Sequence, residues 1–188
     1  MANKVTFGLR NVHYAPYEVT GGVITYETPV PLPGGIEISL EARGDMVEFY
    51  ADDMLYYSAS NNQGYDGTLS LANIPEQFLI DALGEVKDVT DMVLTESANS
   101  VGKPFALMFE FAGDVKAVRH VIYNCTANRP NVASSTKTAT AEPNENELTF
   151  VASPRETDYA VKTKTTDTTP APIYDAWYAT VYEKLPQA

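Results

Sequence analysis

Two adjacent aspartates are the residues of this sequence whose type and position could do chemistry. The stretch MVEFYADDMLYYS, residues 46–58, places Asp52 and Asp53 directly after Tyr50 and Ala51. Reverse transcriptases hold magnesium with such an aspartate pair at a hairpin tip, because carboxylate oxygens are the ligands that magnesium prefers. The same residues also suit an ordinary turn, since Asp readily adopts turn conformations. The stretch is therefore either a polymerase site or a tyrosine-rich hairpin.

The charge of the chain argues against a polymerase. There are 25 acidic and 13 basic residues, for a formal net charge of −12. Residues 44–96 hold 11 acids and a single base, Lys87. A protein that grips nucleic acid needs clustered Lys and Arg, and a metal pair needs a further carboxylate from another strand. We therefore predict no catalytic residue and no metal site here, and interpret Asp52 and Asp53 as a hairpin tip.

The other reactive residue types are isolated in the sequence. His13 and His120, the two histidines, lie far from any ligand-spaced partner. Cys125 is the single cysteine, so no disulfide forms within the chain, which fits an intracellular origin. We find no Gly-x-Ser-x-Gly elbow and no glycine-rich phosphate loop. The sequence predicts no enzyme and no cofactor.

Nothing in the sequence predicts a membrane protein. The start, MANKVTFGLR, lacks the apolar core of a signal peptide. The most apolar window, PFALMFEFAG, is too short and too interrupted to span a bilayer. We expect a soluble protein.

Most of the chain reads as short strands separated by Gly and Pro. In IEISLEA, Ile36, Ile38 and Leu40 alternate with polar residues, which predicts a half-buried strand. PFALMFEFAGD and KAVRHVIYNCTA form a hairpin around residues 113–114, and ELTFVASPRE and YAVKTKT form a last strand pair. The fold class is mainly β, a sandwich-like or barrel-like arrangement of two packed sheets.

One flanking α-helix is predicted over residues 75–83, where Phe78, Leu79, Ala82 and Leu83 form an apolar stripe. Near the C terminus, Ile173, Trp177 and Val181 have helical spacing. This spacing predicts a second helix, although a strand remains an alternative.

We divide the chain into a β domain of residues 1–165 and a linker with C-terminal segment of residues 166–188. The domain contains a hairpin or loop at about 44–68, the helix at about 75–83 and a long polar loop at about 128–146.

Several segments, in order, resemble the major tail proteins of long-tailed phages of Gram-positive bacteria. They are NKVTFGLRNVHYA, PVPLPGG, FYADDMLYYSASNNQGYDGTLSLANIPEQFLIDALGE, KPFALMFEFAGDVKAVRHVIYNCTANRP, ASSTKT and YDAWYATVYEK. This family often has Asp-Asn where Asp52-Asp53 stands, which also argues against a metal site. The resemblance implies a tail tube fold of two packed β-sheets with a helix at the side.

The resemblance also implies a function. Such proteins form hexameric rings that stack into the tail tube of the virion, around a tape-measure protein and between tail terminator and distal tail proteins. They assemble in the host cytoplasm, and the emptied tube passes DNA into the host without binding it specifically. A net-acidic wall would repel DNA, so we expect part of residues 44–96 to line the bore or to lie near ring-to-ring contacts.

The resemblance makes the segment 44–68 the best candidate for contacts between stacked rings. The candidate interface residues are Tyr50, Asp52, Asp53, Tyr56 and Tyr57. The N-terminal strand, the loop at 128–146 and the C-terminal segment are further candidates for subunit contacts. Two alternatives remain open. A receptor-binding or adhesion β-domain of a virion would be a monomer or trimer with carbohydrate or protein affinity, and a polymerase-like or nuclease enzyme would bind magnesium at the Asp pair.

Overall fold

The chain is mainly β, as the sequence predicts. The computed structural model describes residues 3–134, 136 and 144–184. Within these ranges there are thirteen strands and two short helices. They are β1 (Thr6–Thr20), β2 (Val23–Tyr26), β3 (Val30–Pro31), β4 (Gly35–Ala42), β5 (Val47–Ala51), β6 (Met54–Ala59), β7 (Tyr65–Leu71), α1 (Glu76–Leu83), β8 (Val86–Lys87), β9 (Leu94–Thr95), β10 (Phe105–Gly113), β11 (Val118–Ala127), β12 (Asn146–Ala152), β13 (Lys162–Lys164) and α2 (Ala171–Asp175).

Nine of the described strands form one antiparallel sheet that curls around the core. Its order is β2-β1-β10-β11-β12-β7-β4, with β3 paired to β1 and β13 paired to β11. The curl brings the start of β4 back to β1, where a Cβ on Gly35 would lie 2.9 Å from the Val12 side chain. The two packed layers predicted from the sequence are thus two halves of one sheet, which face each other across the main core.

The main core lies between these halves and is closed at one end by α1. Phe78 of α1 is fully buried and packs edge-on against Tyr14 and Phe105, with ring centroids 4.9 and 5.4 Å apart. The helix begins after Pro75 and ends at Gly84, whose φ of 73° permits the left-handed C-cap that glycine favours. The helix predicted at about 75–83 is therefore confirmed.

A β-bulge changes the predicted alternation of β4. The register between β4 and β7 shifts between Gly35 and Glu37, which leaves Ile36 as the extra residue and 45% exposed. Gly35 lies close to Leu9 and Val12, where the Cβ atom of a larger residue would clash with their side chains. Ile38 packs inward as expected, but the inward position predicted for Ile36 is wrong.

The last strand pair is also different from the prediction. β12 and β13 both bind β11, at Cys125–Ala127 and at His120–Ile122 respectively, and do not pair with each other. β11 has ten residues and is long enough for β12 and β13 to pair with different parts of the same edge.

The C-terminal segment covers the outer face of β1, β10 and β11. Trp177 and Val181 are buried there, while Ile173 is 38% exposed. The predicted second helix is much shorter than its spacing indicated, because α2 ends at Asp175 and turns follow. The Arg119 guanidinium donates to the carbonyl of Tyr174, which therefore has a partner outside the helix.

A half-buried arginine, Arg119, and a buried one, Arg155, hold this segment on the sheet. Arg119 forms an ion pair with Glu110 at 3.1 Å, and the Tyr178 hydroxyl donates to the same carboxylate at 3.3 Å. Burial raises the pKa of Tyr178, with the Glu110 charge as a further cause, so this hydroxyl stays protonated. Arg155 contacts Glu183 at 2.8 Å. Each buried charge thus has an opposite partner, without which burial would be costly.

The loop predicted at about 128–146 falls partly on residues 135 and 137–143, which lie outside the described residues. Neither helix of the described chain has the length and apolar character needed to cross a membrane.

His120 makes stability depend on pH. Its ring stacks on Phe109 with centroids 5.1 Å apart, and burial, with Lys162 and Lys164 nearby, lowers its pKa to about 4. Unfolded histidine titrates near pH 6.5, so between pH 6.5 and 4 the unfolded chain binds more protons and stability falls as pH falls. We expect His120 to contribute a loss of about 3 kcal/mol at most across this window.

Urea denaturation of the wild type and of His120→Phe at pH 7 and pH 4.5 measures this contribution. The Phe variant keeps the ring stack and all carboxylates, so its free energy of unfolding should fall less on acidification. An equal fall in the two proteins would contradict the assignment.

Candidate assembly surface

The residues predicted to contact a neighbouring ring lie on a separate β-hairpin. In the described chain, β5 and β6 pair with each other and stand apart from the main sheet. The hairpin continues from the β4–β7 ladder, since the Arg43 amide donates to the Gly64 carbonyl at 2.9 Å and the Gln63 amide to the Arg43 carbonyl at 3.1 Å. Gly44 then redirects the chain at φ 106°, where a Cβ would clash with the Asn61 carbonyl at 2.0 Å.

Asp52 and Asp53 form the tip of this hairpin. Both have positive φ, 53° and 58°, and they connect the paired residues Ala51 and Met54. Two consecutive left-handed residues in a two-residue loop define a type I′ turn, whose twist matches that of a hairpin. Among the described residues, no group of three His, Cys, Asp or Glu side chains is placed to hold a metal ion.

The hairpin is apolar and exposed on both faces. Tyr50, Tyr56 and Tyr57 are 62%, 72% and 57% exposed. A register shift makes Tyr56 an extra residue between the paired Leu55 and Tyr57. An isolated two-stranded hairpin is marginally stable in water, and a contiguous exposed apolar patch of this kind marks an interaction site.

The structure brings all five predicted interface residues to this hairpin and adds apolar residues that sequence reasoning did not single out. The added residues are Met46, Val47, Phe49, Met54 and Leu55, all 47% or more exposed. The signal in the sequence was the lack of a polar face in VEFY and MLYYS. A strand with one buried face alternates apolar and polar residues, whereas a hairpin that is buried on both faces after assembly does not.

The acidic residues of 44–96 are divided among several places. Four lie on or beside the hairpin, one lies on the main sheet, and the rest lie on α1 and the following loops. Several of these have structural partners: Asp81 accepts a hydrogen bond from Tyr14 at 2.9 Å, and Asp88 accepts one from the Thr90 amide at 2.7 Å. The acidic block is therefore not one surface.

A second surface is the outer face of β4, β7 and β12, which is polar and acidic. Glu41 pairs across the strands with Asp66, while Glu37 and Glu147 both pair with Ser70. These three strands contain no Lys or Arg, and the cation paired with this face is Arg43, 3.5 Å from Asp66. The alternation of IEISLEA predicted the acidic face of β4, but only the strand order adds the other two acids to it.

Chains with a similar fold occur among solved structures. No protein-family model matches the chain, and no curated protein matches it. A chain in the cryo-EM structure of the sheath–tube complex of an extracellular contractile injection system, PVC, in the extended state, matches with a TM-score of 0.50. The identity is 11%, over 87% of this chain and 93% of that one.

Two further structures are similar at slightly lower scores. The tube-terminating cap of the anti-feeding prophage, AFP, has a TM-score of 0.49 and 13% identity, over 88% of this chain and 95% of that one. The PVC sheath/tube terminator in the extended state has a TM-score of 0.48 and 9% identity, over 86% and 98%. At such an identity the PVC sheath–tube match shows the fold alone, which this chain shares with a component of that complex.

The turn geometry predicts how the tip responds to substitution. Asn-Gly is the preferred pair for a type I′ turn, so Asp52→Asn with Asp53→Gly should keep the hairpin intact. Asp52→Val with Asp53→Val should loosen it, because left-handed φ costs a β-branched residue about 1–2 kcal/mol. We expect amide hydrogen exchange in β5 and β6 to stay unchanged or slow in the first variant and to rise about tenfold or more in the second. Similar exchange in the two variants would show that the turn is not type I′.

Proposed function

We propose that this chain is a virion structural protein without enzymatic activity, the major tail protein of a long-tailed phage. Copies assemble into rings, six to a ring by the family's number, and the rings stack into the tail tube. The fold of a tube-assembly component and the segments that resemble the major tail proteins both support this proposal.

The observation that carries the proposal is the exposed β5–β6 hairpin. Its large side chains include Phe49, 58% exposed, and Met54, 62% exposed, on a hairpin that nothing in the described chain covers. Burial of apolar surface contributes about 25 cal/mol per Å², so contact with a neighbouring ring would stabilise both the hairpin and the stack. Tyr50, Tyr56 and Tyr57 suit this role, because tyrosine is enriched at protein interfaces.

The sheet offers a way to form a ring. β4 is the terminal strand of the sheet order, and β2 lies at the other end. Such edges invite pairing with another chain, and a ring closes every edge against a neighbour. Edge-to-edge pairing would extend the sheet around a central bore.

The acidic face of β4, β7 and β12 would then line this bore. Since phosphate–cation contacts make DNA stick, a wall without Lys and Arg lets DNA move through. In this proposal a tape-measure protein occupies the bore before DNA does, and terminator and distal tail proteins close the ends. The protein assembles in the host cytoplasm and functions in the virion tail.

Charge reversal at the hairpin tip tests the stacking role. Asp52→Lys with Asp53→Lys changes the fold only locally but reverses the charge of the proposed contact between rings. We therefore expect rings without long tubes in negative-stain electron microscopy of concentrated protein. Asp167→Lys with Asp175→Lys makes the same change in net charge on exposed residues outside the hairpin, and should form tubes like the wild type. Normal tubes from the tip variant would show that the tip makes no stacking contact.

Microscopy and magnesium calorimetry of the wild type distinguish the other function classes. A receptor-binding or adhesion domain would give single particles at every concentration of the wild type, and magnesium binding by calorimetry would indicate an enzyme. Either result would replace the tail tube proposal.

DNA binding by assembled tubes tests the bore. Wild-type tubes should not retain short duplex DNA. Tubes of Glu37→Lys, Glu41→Lys and Glu147→Lys should retain it, with affinity that falls steeply between about 50 and 200 mM salt. The control is the same number of reversals on the C-terminal side, at Glu156, Asp167 and Asp175. Equal retention by the control tubes would mean that net charge, and not this face, decides the effect.

A further inference from the structure

We propose that a groove at the far end of the molecule receives the β5–β6 hairpin of a second copy, stacked head to tail. The groove has a volume of about 580 Å³ and lies between α1, residues 96–102 and residues 126–133. This inference rests on the proposed function, because it names the acceptor of the stacking contact.

The hairpin and the groove lie at opposite ends of the same strands. β7 begins at Tyr65, after the loop 60–64 that follows the hairpin, and ends at Leu71, directly before the residues that lead to α1. Asn146, which pairs with Leu71, lines the groove, whereas Ala152 pairs with Tyr65 at the hairpin end. A strand rises about 3.4 Å per residue, so β7 separates the two sites by about 20 Å.

The position of the two sites decides the symmetry of the contact. If a projection and its receptor were on the same end, two copies would meet face to face and close into a dimer. A projection on one end and a receptor on the other give a heterologous contact, which repeats without closing and forms a stack. The arrangement seen here is of the second kind.

The lining of the groove is part polar and part apolar, which fits the aliphatic and tyrosine side chains of the hairpin. Ile74, Leu79 and Leu83 are half-buried there, which leaves part of each side chain open to contact. Val132, at the rim, is fully exposed, with a relative exposure of 101%. A cavity of this size is in the range that holds a drug-sized molecule, which is comparable to a few large side chains from a hairpin.

The loop beside the groove extends the apolar surface. Glu85 and Glu96 line the groove and flank the short β8–β9 hairpin. Val89 and Met92 of that hairpin are 88% and 64% exposed. Exposed apolar side chains therefore occur at both ends of the β4–β7–β12 half, as a head-to-tail contact requires.

One charge of the groove is opposite in sign to the hairpin tip, and it lies beside the carboxylates of Glu85 and Glu96, which also line the groove. Arg129 is the one cation among the described residues that line the groove, and its side chain is 75% exposed. It contacts Glu96, and a guanidinium with five donors can bind a second carboxylate as well. The carboxylates of Asp52 and Asp53 at the hairpin tip are exposed and suited to reach it.

Cysteine cross-linking of assembled protein tests this contact. In the double variant Tyr56→Cys/Val132→Cys, the hairpin of one copy and the groove of the next carry a thiol each. A short bis-maleimide should then produce a ladder of covalent trimers, tetramers and longer chains on a denaturing gel. Native Cys125 is fully buried, and burial raises the pKa of its thiol, so it stays unreactive.

The controls isolate the pairing. Each single variant should give dimers at most, because one thiol per chain cannot propagate. Tyr56→Cys/Val115→Cys has its second thiol on an exposed residue of the β10–β11 turn, at the end of β10 far from the groove, and should give no ladder.

The outcomes separate this inference from the function on which it rests. Tubes that form normally without a ladder from the first pair would overturn the groove as receptor and leave the tail tube role intact. Tubes that give a ladder with Tyr56→Cys/Val115→Cys and none with Tyr56→Cys/Val132→Cys would also overturn the groove as receptor. Wild-type protein without rings or tubes at any concentration would overturn the proposed function, and the inference with it.

Discussion

The central strands of the sheet are apolar on both faces, and the rest of the structure depends on this constraint. Along β10, Phe105, Leu107 and Phe109 point into the main core, while Ala106 and Met108 point to the other side. A sheet with two apolar faces needs a cover on each. The curled half of β4, β7 and β12 covers the first face together with α1, and the C-terminal segment covers the second.

The second cover uses polar contacts as well as apolar ones. Trp177 joins the apolar cluster that contains Met108, while Arg119 donates to the Tyr174 carbonyl and Arg155 pairs with Glu183. These contacts at two points fix where the segment lies, while each arginine also pairs with a carboxylate outside it, Glu110 or Asp158. Specific docking of a segment rich in tyrosine is thereby achieved without a long helix.

The other half of the sheet differs in kind, since only one of its faces is apolar. Its outer face stays polar and acidic, and its two ends carry an exposed hairpin and a partly apolar groove. A single chain therefore leaves apolar surface unburied in the places where a repeated contact would bury it. This combination connects the fold to assembly, because the same features that are a liability for a monomer stabilise a stack.

Local patterns in the sequence determined most of the elements. Turn residues and alternation indicated the strands, the stripe around Phe78 indicated α1, and the Asp52–Asp53 pair indicated the hairpin tip with all five candidate interface residues on or beside it. These features depend on neighbours within a few residues, where backbone preferences and side-chain spacing act directly. The spacing of Ile173, Trp177 and Val181 misled, because α2 ends at Asp175 and Trp177 and Val181 pack on the distant strands of the sheet without a continuous helix. Only the tertiary structure placed Gly35 against Val12, joined Glu37, Asp66 and Glu147 into one face and put the groove at the end opposite the hairpin, because each of these depends on pairing between residues far apart in the chain.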